Sequence, residues 1–112
     1  MKDRDLVRLQ HMLYHALEAI STVSGRERSD LDDDRMLMHT LARLIEIIGE
    51  AAANISQEKR NQLEQFEWSK IIGMRNRIVH VYFKIDLDIL WDTVKNNLPE
   101  LIEKLEKIPE LK

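Results

Sequence analysis

From Leu37 to Ile55, the residues Leu37, Leu41, Leu44, Ile45, Ile48, Ala51, Ala52 and Ile55 recur at the spacing of one helix face. No other feature so narrows what this chain can fold into, because a stripe of that width must be covered by other apolar faces. Three further stretches offer such faces. Leu6, Leu9, Leu13, Ala16, Leu17 and Ile20 line a first helix from Asp3 to Ser24, with Gly25 as the residue that ends it. Trp68 to Val81 reads as a third helix. Leu87, Leu90, Trp91, Val94, Leu98, Leu101, Ile102 and Leu105 form the face of a fourth, capped by Asp86 and kinked or split by Pro99.

Between these stretches, Arg26 to Asp34 is polar and reads as a loop, in which Ser29 or a following Asp caps the second helix. Residues 56–66 suggest a short helical turn capped by Ser56, and residues 82–85 a break. Gly49 and its small neighbours would let another helix approach closely. Three Gly and two Pro leave little material for a strand-and-turn architecture. The expected fold is therefore all-α: a single domain over residues 1–112, an up-down bundle of four to five helices.

With no cysteine, disulfides, thiol nucleophiles and cysteine-ligated metals are excluded. The opening Met1-Lys2-Asp3-Arg4-Asp5 is too charged to begin a signal peptide, and no apolar run approaches membrane-spanning length. A cytoplasmic protein without a membrane contact is expected. The net charge of −3 disfavours a general nucleic-acid coat protein. Residues 59–84 nevertheless carry six cations (Lys59, Arg60, Lys70, Arg75, Arg77, Lys84) against Glu64 and Glu67. Such a strip on an acidic body can hold phosphate at one place and repel it elsewhere.

The strip contains Arg75-Asn76-Arg77-Ile78-Val79-His80-Val81-Tyr82. On a continuous helix, Asn76 and His80 lie about 40° apart and Arg77 about 60° from His80, while Arg75 must reach round. Tyr82 joins them only if the helix ends near Val81. The segment holds an imidazole, a permanent cation, a carboxamide and a phenol, but no carboxylate to ligate a metal. That set suits metal-free handling of a phosphodiester: a guanidinium stabilises charge building on phosphorus, and an imidazole moves a proton. One histidine cannot act as base and acid in one step, so a two-fold homodimer with paired motif helices would supply both. Bare Arg-x4-His pairs arise by chance about 0.3 times in such a composition, but adding the tyrosine lowers that below about 0.01.

Arg75-x4-His80-x-Tyr82, with polar Asn76 after the arginine, resembles the signature of HEPN-domain ribonucleases, most closely the HepT branch of toxin–antitoxin systems. Ile47-Ile48-Gly49-Glu50-Ala51-Ala52-Ala53-Asn54-Ile55 and Asp86-Leu87-Asp88-Ile89-Leu90-Trp91 resemble that branch too, so the likeness spans nearly the whole chain. It implies a helical bundle that dimerises through its motif helices around a composite cleft for cutting RNA, whether tRNA or mRNA. It also implies Arg75 and His80 as the catalytic pair and Asn76 as their polar assistant. Tyr82 matches the tyrosine that a cognate minimal nucleotidyltransferase antitoxin, of the MntA type, modifies with AMP. Arg77, Lys84 and Lys70 are not motif residues and would steer the RNA backbone. No cofactor is implied.

Other residues carry weaker signals. His11, His15 and Glu18 have metal-ligand spacing, but no second segment brings another ligand, so no metal site is assigned. His39, Met36 and Met38 read as structural residues, and Trp68 and Trp91 as core or interface. Glu46 and Glu50 could pair as acids, or one of them could orient an arginine of the motif helix. Two rivals to an endoribonuclease remain. One is a nucleotide-binding or adaptor module that holds a nucleotidyltransferase and cuts nothing; the other is a purely structural helical dimer.

Overall fold

A computed structural model describes residues 4–79 and 84–111. Apart from one isolated pairing of Val79 with Ile85, every regular element among them is helical. Two 19-residue helices, α1 (Arg4–Thr22) and α3 (Arg35–Ala53), form the centre. They run antiparallel, because Asp5 at the start of α1 accepts hydrogen bonds from Ser56 N (2.9 Å) and Ser56 Oγ (2.7 Å), just beyond the end of α3. On α3, Leu41, Ile45 and Ile48 are fully buried, as the stripe requires. Burial of that extent stabilises by about 1.5–3 kcal/mol per side chain.

On α1 the buried line is Leu9, Met12, Ala16 and Ala19, continued by Val23 just past its end, and it is rolled about one position from the expected stripe. Leu17 sits at the rim, 44% exposed, and Leu13 and Ile20 are half-buried. Small side chains at 16 and 19 let neighbouring helices come close along that line, which moves the bulkier leucine outward. Met36 is likewise exposed rather than packed, while Met38 does pack against the core.

Gly25 takes φ +76° and ends α1 in the left-handed conformation that a glycine adopts at least cost. The polar stretch after it is not all loop. It contains a short helix, α2 (Asp30–Asp33), pinned by buried Leu31, a single apolar residue too isolated to show a period. Asp34 caps α3 by accepting from Leu37 N at 3.0 Å. That bond, seconded by Arg26 at 3.2 Å, holds the Asp34 carboxyl below the usual carboxylate range.

The C-terminal rod is α7 (Leu87–Asp92), a π turn at Thr93–Asn97, and α8 (Leu98–Glu106). Asp86 caps it as expected, accepting from Ile89 N at 3.0 Å. Pro99 lacks an N–H for the Lys95 carbonyl, and its ring would crowd that carbonyl in a tight helix. The chain answers with a widened turn instead of a break: the Leu98 N–H reaches back to Thr93 O. Leu90, Val94, Leu98, Leu101 and Leu105 still reach the core, joined by fully buried Thr93, whose hydroxyl donates to Ile89 O at 2.8 Å. The result is the expected all-α bundle. No described helix is long and apolar enough to cross a membrane.

Candidate active site

The motif segment rests on α3. A short helix, α4 (Gln57–Gln62), leads to it, started by Ser56 Oγ accepting from Lys59 N at 3.1 Å. The single helix expected from Trp68 to Val81 is two pieces, α5 (Trp68–Ile72) and α6 (Met74–Ile78), joined at Gly73. Helix α6 ends three residues early. Val79 is extended (φ −107°, ψ 122°) and pairs antiparallel with Ile85, and Ile78 O accepts from Asp86 N at 2.7 Å. The sequence Ile78-Val79-His80-Val81-Tyr82-Phe83 is dense in β-branched and aromatic residues, which favour extended backbone over helix. Helical spacing therefore holds in the motif only as far as Ile78. His80 and Tyr82 lie outside the described residues.

Ile71, Met74 and Ile78 are buried and fix the roll of the two short helices. Arg75, Asn76 and Arg77 then face away from the core in three different directions. Arg75, 43% exposed, turns toward α3, where its Nε lies 4.0 Å from Glu46 Oε2. The other oxygen of Glu46 takes Arg43 Nη1 at 2.9 Å. Glu46 is thus the acid that orients the motif arginine, and Glu50 is exposed and spends its backbone carbonyl on Asn54. A shared carboxylate at this distance biases the guanidinium without neutralising it, leaving donors for an anion.

Asn76 is exposed and lines a concavity of about 590 Å³ between α4 and α5–α6. Arg77 instead faces the C-terminal rod, where it lines a small pocket with Lys70, Lys104, Asn97 and buried Met74. Glu67 and Glu100 line the same pocket and Lys70 Nζ lies 3.5 Å from Glu67 Oε1, so Arg77 and Lys70 sit in a mixed-charge group, on the other side of α6 from Arg75. Lys84, exposed, precedes Ile85 where the described chain resumes.

Gly49 lets this segment dock. A Cβ there would lie 3.2 Å from Ile72 O and 3.5 Å from Ile71 O, so α5 closes onto the backbone of α3 itself. Elsewhere, His15 Nδ1 is 2.7 Å from His11 O, and among the described residues no group of three or more potential ligands could hold a metal. Trp68 and Trp91 both pack partly against the core. His39 is exposed.

The family model described as "Ribonuclease HepT-like" matches residues 13–108. A "Putative RNase" of Caldanaerobacter subterraneus subsp. tengcongensis is 34% identical, over 89% of this chain and 89% of its own. A "Putative RNase" of Methanocaldococcus jannaschii is 30% identical over 88% and 90%. A "Probable ribonuclease HepT" of Thermococcus cleftensis is 36% identical over 67% and 68%. No solved structure matches the chain.

Proposed function

The chain belongs to the HepT-like ribonuclease family, and from that premise we propose that it is the toxin of a toxin–antitoxin pair, a metal-independent endoribonuclease acting as a homodimer. Arg75 binds the scissile phosphate and stabilises the charge that builds on its oxygens. His80 of one protomer takes the proton from the attacking 2′-hydroxyl, and the partner's His80 protonates the departing 5′-oxygen. Asn76 holds a phosphate or ribose oxygen in place. The products are a 2′,3′-cyclic phosphate and a 5′-hydroxyl. The observation that carries this reading is Arg75, half-exposed and biased by Glu46, in the first turn of α6, which with α5 is anchored through Ile71, Met74 and Ile78.

Control falls to Tyr82. A nucleotidyltransferase antitoxin of the MntA type transfers AMP from ATP to the Tyr82 phenol oxygen: the oxygen–α-phosphorus bond forms, the α–β phosphoanhydride breaks, pyrophosphate leaves and the phenol proton is lost to solvent. The added phosphate and nucleoside compete with RNA for the cations of the motif. Arg77, Lys70 and Lys84 are the cations that steer the tRNA or mRNA backbone toward the site.

The test is made on protein whose Tyr82 is shown by intact mass to be unmodified. It is incubated with total RNA in EDTA, and the new ends are analysed. Cyclic phosphates with 5′-hydroxyls are expected. Ends bearing 3′-hydroxyls and 5′-phosphates, or an absolute need for a divalent metal, would overturn the mechanism. Absence of cleavage would turn the reading to an adaptor that holds the nucleotidyltransferase.

A further inference from the structure

The concavity beside Asn76 differs in character from the basic strip around it. Of its lining residues only Arg60 and Glu64 are charged, and they cancel. Arg60 is moreover already committed: its Nη2 donates to Ala52 O (3.3 Å) and Ala53 O (2.9 Å) at the end of α3, and its buried Nε has no partner. A neutral hollow of this size is poorly suited to phosphate.

Its aromatic wall is fixed in place. Trp68 stacks on buried Phe66, with ring centroids 5.1 Å apart and planes 29° apart. The indole N–H donates to Leu63 O at 3.1 Å. Because that donor is already used and Phe66 stacks on one side, Trp68 offers a ligand only the part of its ring surface that lines the hollow. Around it stand the hydroxyl of Ser69 and the carboxamides of Gln57 and Asn61, which bond to each other at 3.0 Å. A rigid aromatic face ringed by exposed amides and a hydroxyl has the composition that receives an unstacked nucleobase, because the ring stacks and the amides meet the base edge. The same hollow is walled by Asn76, so a base seated in it keeps its own phosphate next to the motif.

We propose that the concavity between α4 and α5–α6 seats the nucleobase adjoining the scissile phosphate, stacked on Trp68 and read by Asn61, Gln57 and Ser69. The inference rests on the ribonuclease reading and adds to it that the substrate is cut where its bases are unpaired. Duplex RNA, with its bases stacked inside, cannot fill this seat.

The test uses the full chain with Trp91→Phe, which leaves Trp68 as the only indole. The probes are single-stranded 2′-O-methyl oligoribonucleotides, which bind but cannot undergo 2′-hydroxyl attack. Binding is expected to quench Trp68 emission, and a duplex of the same sequence to leave it unchanged. Trp68→Leu is expected to weaken binding about 5- to 150-fold, the usual worth of one stacked base. Trp68 also packs against the core, so Asn61→Ala, at an exposed position, is the second variant; it is expected to lose affinity several-fold while melting like wild type. Single-strand binding with unchanged Trp68 emission, or an Asn61→Ala affinity equal to wild type, would overturn the seat. Either result would leave cleavage by wild type intact, whereas failure of the ribonuclease reading would appear as no RNA cut by wild type.

Discussion

Gly49→Val tests how the motif segment is held. An ideal Cβ at position 49 already lies 3.2 Å from Ile72 O and 3.5 Å from Ile71 O, and these are backbone atoms that cannot swing aside. Valine adds two γ-carbons about 1.5 Å further out, with χ1 held largely to one rotamer in a helix. At least one of them meets α5, so α5 must move by on the order of 1 Å. Overpacking of that kind costs about 1–3 kcal/mol. Valine forms helix better than glycine by roughly 0.4 kcal/mol, which offsets only part of it. At about 4–5 °C per kcal/mol for a domain near 100 residues, thermal unfolding followed by circular dichroism should fall by about 5–10 °C. The same displacement carries Arg75 away from Glu46, and misplacement by about 1 Å lowers turnover by up to about 100-fold. Gly49→Ala is the control. Its single carbon asks the neighbour to yield only a few tenths of an ångström, and the gain of about 1 kcal/mol in helix propensity balances that. Gly49→Val melting within about 2 °C of wild type would refute the close approach.

Glu46→Gln removes a half-exposed partner of Arg75 worth about 0.2–1 kcal/mol, so cleavage should change by no more than about 5-fold; Arg75→Ala should cost at least about 100-fold in initial rate. The folded-state pKa of Asp34 is lowered by the Leu37 N–H and then by Arg26, so its stabilisation is complete above the unfolded value of about 4 and disappears as pH falls through the lower folded value. Asp34→Ala should therefore melt below wild type at pH 7, and the gap in melting temperature should close as pH drops below about 4; a gap unchanged at pH 2 would contradict the capping role.

Much of the scaffold was legible because it depends on local rules. Asp34, Ser56 and Asp86 are caps by residue type and position, Gly25 ends a helix by its freedom at positive φ, and the α3 stripe is long enough to define its own face. The motif helix was misread because Trp68 to Val81 contains apolar residues at helical spacing while its last part carries a second, competing preference. From Ile78 onward the β-branched residues favour extended backbone, and the pairing of Val79 with Ile85 decides the contest, a contact no local window contains. The opposed directions of Arg75 and Arg77 follow from the burial of Ile71, Met74 and Ile78, but the burial itself is tertiary. Leu31, Met12 and Thr93 were missed for the same reason: each is buried by what packs on it rather than by a pattern around it. Glu46 as partner of Arg75 was one of two alternatives in the sequence, and only the docking of α5–α6 on α3 separates them.

The most direct measurement is the single-turnover rate at which wild type and His80→Ala cut one defined single-stranded RNA in EDTA near pH 6.5. Proton transfer by a placed imidazole is worth about 100- to 10,000-fold, so the variant should cut at least about 100-fold more slowly while binding the 2′-O-methyl analogue as wild type does. A His80→Ala rate within about tenfold of wild type would contradict a ribonuclease that works through this histidine.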